Sequence, residues 1–112
     1  MSTNRQDNVY IKAGETLKIE VVVRNPDGNL TNLIGASSKF GIDIGETITV
    51  KDCIIEGSIV TATLTDEETA TLDGNYKYEI VLQTANGERK SLAYGIVVVT
   101  KSMITEIFTG GV

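Results

Sequence analysis

The sequence lacks the residues on which most catalytic and metal sites depend. It contains no His, no Trp and a single Cys, Cys53. His is the usual general base near neutral pH and the commonest metal ligand. One Cys can form neither an internal disulfide nor a zinc site, and no phosphate-binding loop of the Walker type is present. We therefore expect no enzyme, no metal site and no cofactor.

Long apolar runs and an excess of basic residues are also missing. No stretch of about 18 apolar residues exists to span a bilayer, and the polar segment Met1–Asn8 lacks the apolar centre of a signal peptide. Fifteen acidic residues against ten basic ones give a net charge of −5, and the basic residues are scattered. These features argue against a membrane or a nucleic acid as partner.

β-Branched residues, in contrast, are abundant. Val, Ile and Thr make up 38 of the 112 residues, whereas Ala accounts for only 6. β-Branched side chains suit the pleated surface of a strand and are weaker helix formers. A length of 112 residues fits one domain. The composition therefore predicts a single all-β domain.

Period-two alternation places the strands along the chain. The clearest case runs from Thr16 to Arg24, where every second residue is apolar. Similar short runs follow, separated by turn signals such as Asn25–Gly28 and by single glycines. About seven short strands of this kind predict a β-sandwich over residues 9–100, with a polar N-terminal arm at 1–8 and a C-terminal arm at 101–112.

One helical signal interrupts the strands. The segment Thr65-Asp66-Glu67-Glu68 has a Thr cap with Glu three residues later, which is the capping-box pattern. Gly74 follows closely, so the helix has one or two turns near residues 66–72. It is placed to cross from one sheet to the other.

The hairpin before the last strand decides which face of that strand is buried. A two-residue turn at Asn86–Gly87 pairs Ala85 with Glu88 and puts Gly95 opposite Tyr78. A three-residue turn with a bulge would reverse the two faces. We favour the two-residue turn.

With this register, apolar side chains of the last strand point away from the core. A sandwich strand needs only one buried face, yet Arg89–Thr100 is apolar on both. Partial cover by the termini is one explanation, and a subunit interface is the other. The residues of this candidate partner interface are Val81, Tyr94, Ile96 and Val98.

The C-terminal arm carries a second apolar group. Met103, Ile104, Ile107 and Phe108 are spaced as one face of a short helix. So short a helix is not stable in water by itself. The arm therefore packs on its own domain, docks on a partner or is disordered, and we include its four apolar residues in the candidate partner interface.

A local pattern around Tyr76 resembles immunoglobulin-type sandwiches. Those domains place a Tyr at the start of a late strand, after an acidic residue and a Gly, as in Asp73-Gly74-Asn75-Tyr76. The resemblance implies that the Tyr76 hydroxyl bonds back to the backbone and fixes a structural corner. Tyr78 stands where antibody domains carry their second Cys, which is consistent with a reducing compartment.

Five segments together resemble one family more closely. In order and spacing they are similar to the immunoglobulin-like module of tailed-bacteriophage structural proteins, such as the N-terminal domain of the phage baseplate upper protein. The segments are Ile11–Leu17, Asn25–Leu33, Leu64–Ala70, Gly74–Ile80, and Asn86–Gly87 with Gly95.

This resemblance implies a function in assembly. It predicts a non-enzymatic component of a virion, either a head decoration or head fibre or a baseplate or tail accessory protein, made in the cytoplasm of the host bacterium. Its partners would be capsid or tail proteins of the same virion and further copies of itself. The alternative is a bacterial cell-surface or carbohydrate-binding module, and a small hydrolase is a third option that would need converging polar side chains.

Overall fold

A computed structural model describes residues 5–25 and 27–102 of the chain. This part of the chain contains nine strands and one short helix, so the all-β prediction is confirmed. The elements are β1 (Arg5–Gln6), β2 (Val9–Lys12), β3 (Leu17–Val22), β4 (Ser37–Asp43), β5 (Ile48–Asp52), β6 (Ile54–Glu56), β7 (Ile59–Leu64), α1 (Asp66–Ala70), β8 (Gly74–Gln83) and β9 (Arg89–Thr100).

The strands form two sheets that face each other. The larger sheet has the order β1-β9-β8-β4-β5, with β2 also paired to β9, and the smaller sheet has the order β3-β7-β6. The strands β4, β8 and β9 share one sheet, and β3 and β7 share the other. This is the arrangement of the C, F and G strands and of the B and E strands in immunoglobulin-like sandwiches. In the described part of the chain, no helix has the length and apolarity that a membrane crossing requires.

Alternation along the strands builds the core between the sheets. In β3 the exposure alternates residue by residue, with Leu17, Ile19 and Val21 buried. The long strands β4, β7 and β8 contribute their own alternate residues, among them Phe40 and Ile80, which are almost fully buried. Each of these four strands thus turns its apolar face inward, as its sequence pattern predicts.

Helix α1 links the two sheets as predicted, although it ends at Ala70. Both halves of the capping box are present: the Glu68 N–H donates to Thr65 Oγ1 at 3.2 Å, and the Thr65 N–H donates to Glu68 Oε1 at 2.8 Å. The buried hydroxyl of Thr69 donates to the Glu15 carbonyl at 2.7 Å. The helix is therefore fastened to the loop that precedes β3.

The turn between β8 and β9 differs from the prediction. The Thr84 N–H donates to the Glu88 carbonyl at 2.8 Å, so the loop has three residues and Ala85 does not pair with Glu88. Gly87 ends this loop with φ of 92°, a conformation that glycine adopts without strain. The two-residue turn was the wrong choice.

A second irregularity nevertheless restores the predicted faces. The register of the pair β8 and β9 shifts between Ile80 and Val81, where Leu92 is the additional residue in β9. Beyond this bulge Gly95 lies opposite Tyr78, as the two-residue turn would have placed it. The longer turn and the bulge shift the register in opposite directions and cancel. From Ala93 onward, the residues of β9 therefore face the predicted sides, although the predicted turn is absent.

The N-terminal segment belongs to the larger sheet earlier than predicted. β1 and β2 both run parallel to β9, and between them the Asp7 N–H donates to the Tyr94 carbonyl at 2.9 Å. Of the predicted polar arm over residues 1–8, Arg5 and Gln6 thus lie in β1, and Asp7 is bonded to β9. A polar segment can join a sheet because the pairing uses backbone groups. Such pairing gives no hydrophobic pattern from which it could be predicted.

Candidate interaction surface

The solvent side of the larger sheet, here termed the outer face, is the candidate interaction surface. Successive side chains of a strand point to opposite faces of the sheet. In five neighbouring strands, the residues that alternate with the core residues therefore point to the solvent side. The outer face comprises Tyr10 of β2, Lys39, Gly41 and Asp43 of β4, Ile48 and Val50 of β5, Lys77, Glu79 and Val81 of β8, and Tyr94, Ile96 and Val98 of β9.

Four residues of the predicted partner interface lie together on this face. Tyr94 is 42% exposed, and Val81, Ile96 and Val98 are half-buried among their neighbours. Their opposite neighbours on β9 are buried, for example Val97 at 0% exposure. The predicted orientation of β9 is thus confirmed, whereas its binding of a partner stays a prediction.

The four predicted residues of the C-terminal arm cannot be placed. Of the arm, the structure describes only Lys101 and Ser102, which follow the end of β9. The remaining candidates, Met103, Ile104, Ile107 and Phe108, lie outside the described residues.

Three further apolar residues of the outer face were missed in the sequence. Tyr10 is 72% exposed and lies beside Val98, while Ile48 and Val50 on the edge strand β5 are 65% and 57% exposed. The alternation of Ile48-Thr49-Val50 indicates a short strand but does not show which of its sides faces the core. Period two gives the spacing of a strand and not the side that faces the core.

A shallow groove of about 310 Å³ crosses the outer face. Gly41 lies in the floor of this groove, flanked by Ile48 and Val50 on one side and by Glu79 and Val81 on the other. Because Gly41 carries no side chain, the sheet surface is lowest between these residues. The groove can therefore accept a side chain of a partner.

Tyr76 occupies the corner that the sequence predicted and has a structural task. Its hydroxyl donates to the Asp73 carbonyl at 3.0 Å and accepts from the Asp73 N–H at 2.8 Å. These bonds close the turn between α1 and β8, where the chain enters the larger sheet. Tyr76 is half-buried against the core and takes no part in the outer face.

Cys53 connects the two sheets and is also structural. It is the single residue between β5 and β6, and its N–H donates to the Ser38 carbonyl at 2.9 Å. Burial raises the pKa of the Cys53 thiol, and the neighbouring carboxylate of Asp52 raises it further. Such a thiol is a poor nucleophile at neutral pH.

A second, open groove of about 500 Å³ lies at one end of the sandwich, in the loop before β4. Of the three large apolar residues in this loop, only Leu33 is buried, whereas Leu30 is 57% and Ile34 84% exposed. Both exposed residues line the groove together with Ile55.

Acidic side chains do not gather into a metal site in the parts of the chain that the structure describes. There, no group of three or more Cys, Asp or Glu side chains is placed to hold a metal ion. Asp27 serves the turn instead, since it accepts from the Asn29 N–H at 3.0 Å.

Comparisons with known proteins give a fold and no family. No family model and no curated protein matches the chain. Among solved structures, it is similar to a "putative glycoside hydrolase" from Bacteroides vulgatus, with a TM-score of 0.51 and 7% sequence identity. The match covers 82% of this chain and 16% of that one, so it concerns one part of a larger protein. At this identity the likeness shows the sandwich fold alone.

Proposed function

We propose that this chain is a non-enzymatic structural component of a tailed-phage virion, which attaches to neighbouring virion proteins through the outer face and the terminal arms. The observation that carries the proposal is the outer face itself. Tyr10, Ile48, Val50 and Tyr94 are each more than 40% exposed on one side of one sheet. Several exposed apolar side chains on one face of a small domain mark a contact site.

The resemblance to phage immunoglobulin-like modules supplies the biological setting of the proposal. The matching segments lie at the entry to β3, in the turn before β4, in α1 and along β8. These segments form turns, the helix and one central strand of the sandwich, and most residues of the outer face lie outside them. A common sandwich whose exposed face differs from one protein to the next suits a module that occurs in different phage particles.

A carbohydrate-binding module is the second candidate, because two exposed tyrosines share the outer face. Tyr10 and Tyr94 reach solvent on adjacent strands. Exposed aromatic rings on a flat sheet are a surface on which sugar rings can stack. The similar solved structure belongs to a protein named as a glycoside hydrolase, of which this fold forms a part.

The experiment uses particles of the phage that encodes the chain. Mass spectrometry of purified particles tests whether the protein is present, and electron microscopy of particles that lack it, after addition of labelled protein, tests attachment. Val50→Lys places a charge on the outer face and is expected to abolish attachment. Val22→Lys, on the solvent side of the smaller sheet and 40% exposed in the wild type, is the matched control and is expected to attach normally.

Two results would overturn the proposal. The first is absence of the protein from purified particles, and the second is attachment of the Val50→Lys variant at the wild-type level. Binding to a glycan array that is lost in Tyr10→Ala and Tyr94→Ala, without attachment to particles, would establish the carbohydrate-binding alternative instead.

A further inference from the structure

The cross-strand register arranges the outer face in two adjacent rows. One row contains Tyr94 and Glu79, which are directly opposite each other, followed by Gly41 and Val50. The next row contains Ile96 opposite Lys77, and Asp43 opposite Ile48. Each row therefore has an apolar residue of β9 at one end and an apolar residue of β5 at the other. Between them lie Glu79 and Gly41 in the first row, and Lys77 and Asp43 in the second.

The two rows complement each other under a two-fold rotation. Sheets that pack face to face keep their strands within about 30° of each other. Consider a two-fold axis that lies parallel to the sheet, at right angles to the strands and midway between the two rows. Rotation about this axis brings the outer faces of two copies together, with each strand over its own copy and each row over the other row. Glu79 then faces Lys77 of the second copy, Tyr94 faces Ile96, Val50 faces Ile48, and Gly41 faces Asp43.

We propose that the outer face binds a second copy of this chain, so that the protein forms a symmetric face-to-face dimer. The arrangement is isologous, because every contact occurs twice. This inference rests on the proposed function, since it takes the outer face as the contact surface and makes a second copy of the chain the neighbouring virion protein that binds there. It goes further in assigning one occupant and a register.

Charge supports this pairing over a random contact between two copies. Among the residues that the structure describes, no ion pair involves Lys77 or Glu79. Both side chains are exposed and lie two residues apart on β8, on the same side of the sheet. In the dimer, each carboxylate meets an ammonium group of the other copy, which gives two ion pairs at the centre of the interface.

The available area is sufficient for such a dimer. The five strands contain 38 residues, and at about 3.3 Å along a strand and about 4.8 Å between strands they present roughly 600 Å². Specific interfaces begin at about this size for each partner. We therefore expect a dimer that dissociates on dilution.

Charge reversal with purified full-length protein tests the proposal. Sedimentation equilibrium over a wide concentration range is expected to show wild-type dimers. Lys77→Glu and Glu79→Lys each turn two attractive pairs into two repulsive ones, so each is expected to raise the dimer dissociation constant about tenfold or more. An equimolar mixture of the two variants restores complementary pairs and is expected to dimerise again.

Lys18→Glu and Glu20→Lys are the matched controls. These residues also lie two apart on one strand and are exposed, but they belong to the smaller sheet. They are expected to leave the dissociation constant unchanged, and circular dichroism checks that every variant is folded. The double variant K77E/E79K keeps the cross pairs in reversed order and is expected to dimerise.

Several outcomes would overturn the dimer. They are a wild-type monomer at all concentrations, an unchanged dissociation constant in both outer-face variants, or a mixture that stays monomeric. A monomer whose Val50→Lys variant loses attachment to particles refutes the dimer and leaves the proposed function standing. A dimer that behaves as expected but is absent from particles supports this inference and refutes the proposed function.

Discussion

The hydroxyl of Tyr78 donates a hydrogen bond of 2.8 Å to the backbone carbonyl of Asp7, 71 residues earlier in the chain. The carbonyl reaches this position because Gly95, opposite Tyr78 on β9, has no side chain. A Cβ atom at Gly95 would come within 2.0 Å of the Asp7 oxygen. Gly95 therefore makes room for the N-terminal segment, and Tyr78 holds it there.

The first prediction concerns this close approach. Gly95→Ala is expected to lower the free energy of unfolding by about 1–3 kcal/mol, because the Asp7 backbone must move. Tyr78→Phe is expected to cost about 1 kcal/mol through the lost hydrogen bond. Both changes act on the same carbonyl, so the double variant is expected to cost less than their sum in urea unfolding followed by circular dichroism.

Gly41→Ala provides the control for Gly95→Ala. Gly41 lies in the same sheet, and a Cβ there would meet its nearest atom, Ile48 Cγ2, at an ordinary 3.6 Å. This variant is expected to be neutral or slightly more stable, since Gly within a strand costs conformational entropy. A Gly95→Ala variant as stable as Gly41→Ala would refute the proposed role of the Asp7 contact.

The second prediction concerns the corner at Tyr76. Tyr76→Phe removes the bonds to both backbone groups of Asp73 and is expected to lower the free energy of unfolding by about 0.5–1.5 kcal/mol. Tyr10→Phe, at a ring that is 72% exposed, is the control and is expected to leave stability unchanged. Equal unfolding midpoints for the two variants would show that the corner bonds contribute nothing.

The third prediction concerns pH and the helix cap. The hydrogen bond from Lys51 and then the one from the Thr65 N–H hold the pKa of Glu68 below the usual value of a glutamate. A group whose pKa is lower in the folded state stabilises the fold above its unfolded pKa, and the contribution disappears as the pH falls through its folded pKa. Wild type is therefore expected to exceed Glu68→Gln in stability at pH 7, and the difference is expected to shrink below about pH 4.

Urea unfolding at several pH values measures this difference. Glu67→Gln is the control, because Glu67 is an exposed neighbour in the same first turn of α1. Its difference from wild type is expected to be smaller and to change less with pH. A Glu68→Gln variant whose deficit stays constant from neutral to acidic pH would contradict the assignment.

The fourth prediction concerns the reactivity of Cys53. Because burial raises the pKa of this thiol, little thiolate is present at neutral pH. Reaction with a disulfide reagent is expected to be slower in the folded protein than in urea, and to accelerate when the pH is raised above the ordinary range of a cysteine. An equally fast reaction in native and unfolded protein would show that the thiol is accessible and ionises normally.

The sequence predicted those elements whose signal is local. The alternation of Leu17, Ile19 and Val21, the capping box at Thr65 and the corner at Tyr76 each depend on residues close together in the chain, and all three are present in the structure. Backbone contacts left no such signal, so the pairing of Arg5 and Gln6 with β9 was missed.

The candidate surface was predicted only in part. The orientation of Tyr94 and Ile96 was correct because the bulge at Leu92 cancelled the error in the turn. A bulge moves one residue out of register, and a strand that is apolar on both sides gives no indication of where this occurs. Ile48 and Val50 were not among the predicted interface residues, because exposed apolar residues on an edge strand are unexpected in a domain considered alone.

The parallel pairing of β1 and β2 with β9 has a consequence for folding during synthesis. Each contact in this pairing joins residues 88 positions apart, for example Val9 and Val97. Within the sandwich, β1 and β2 are synthesised first and have no partner until β9 has been made. Closing a loop of this length costs chain entropy before any contact forms to offset that cost, which slows folding. The ribosome must release almost the whole sandwich before the larger sheet can be completed.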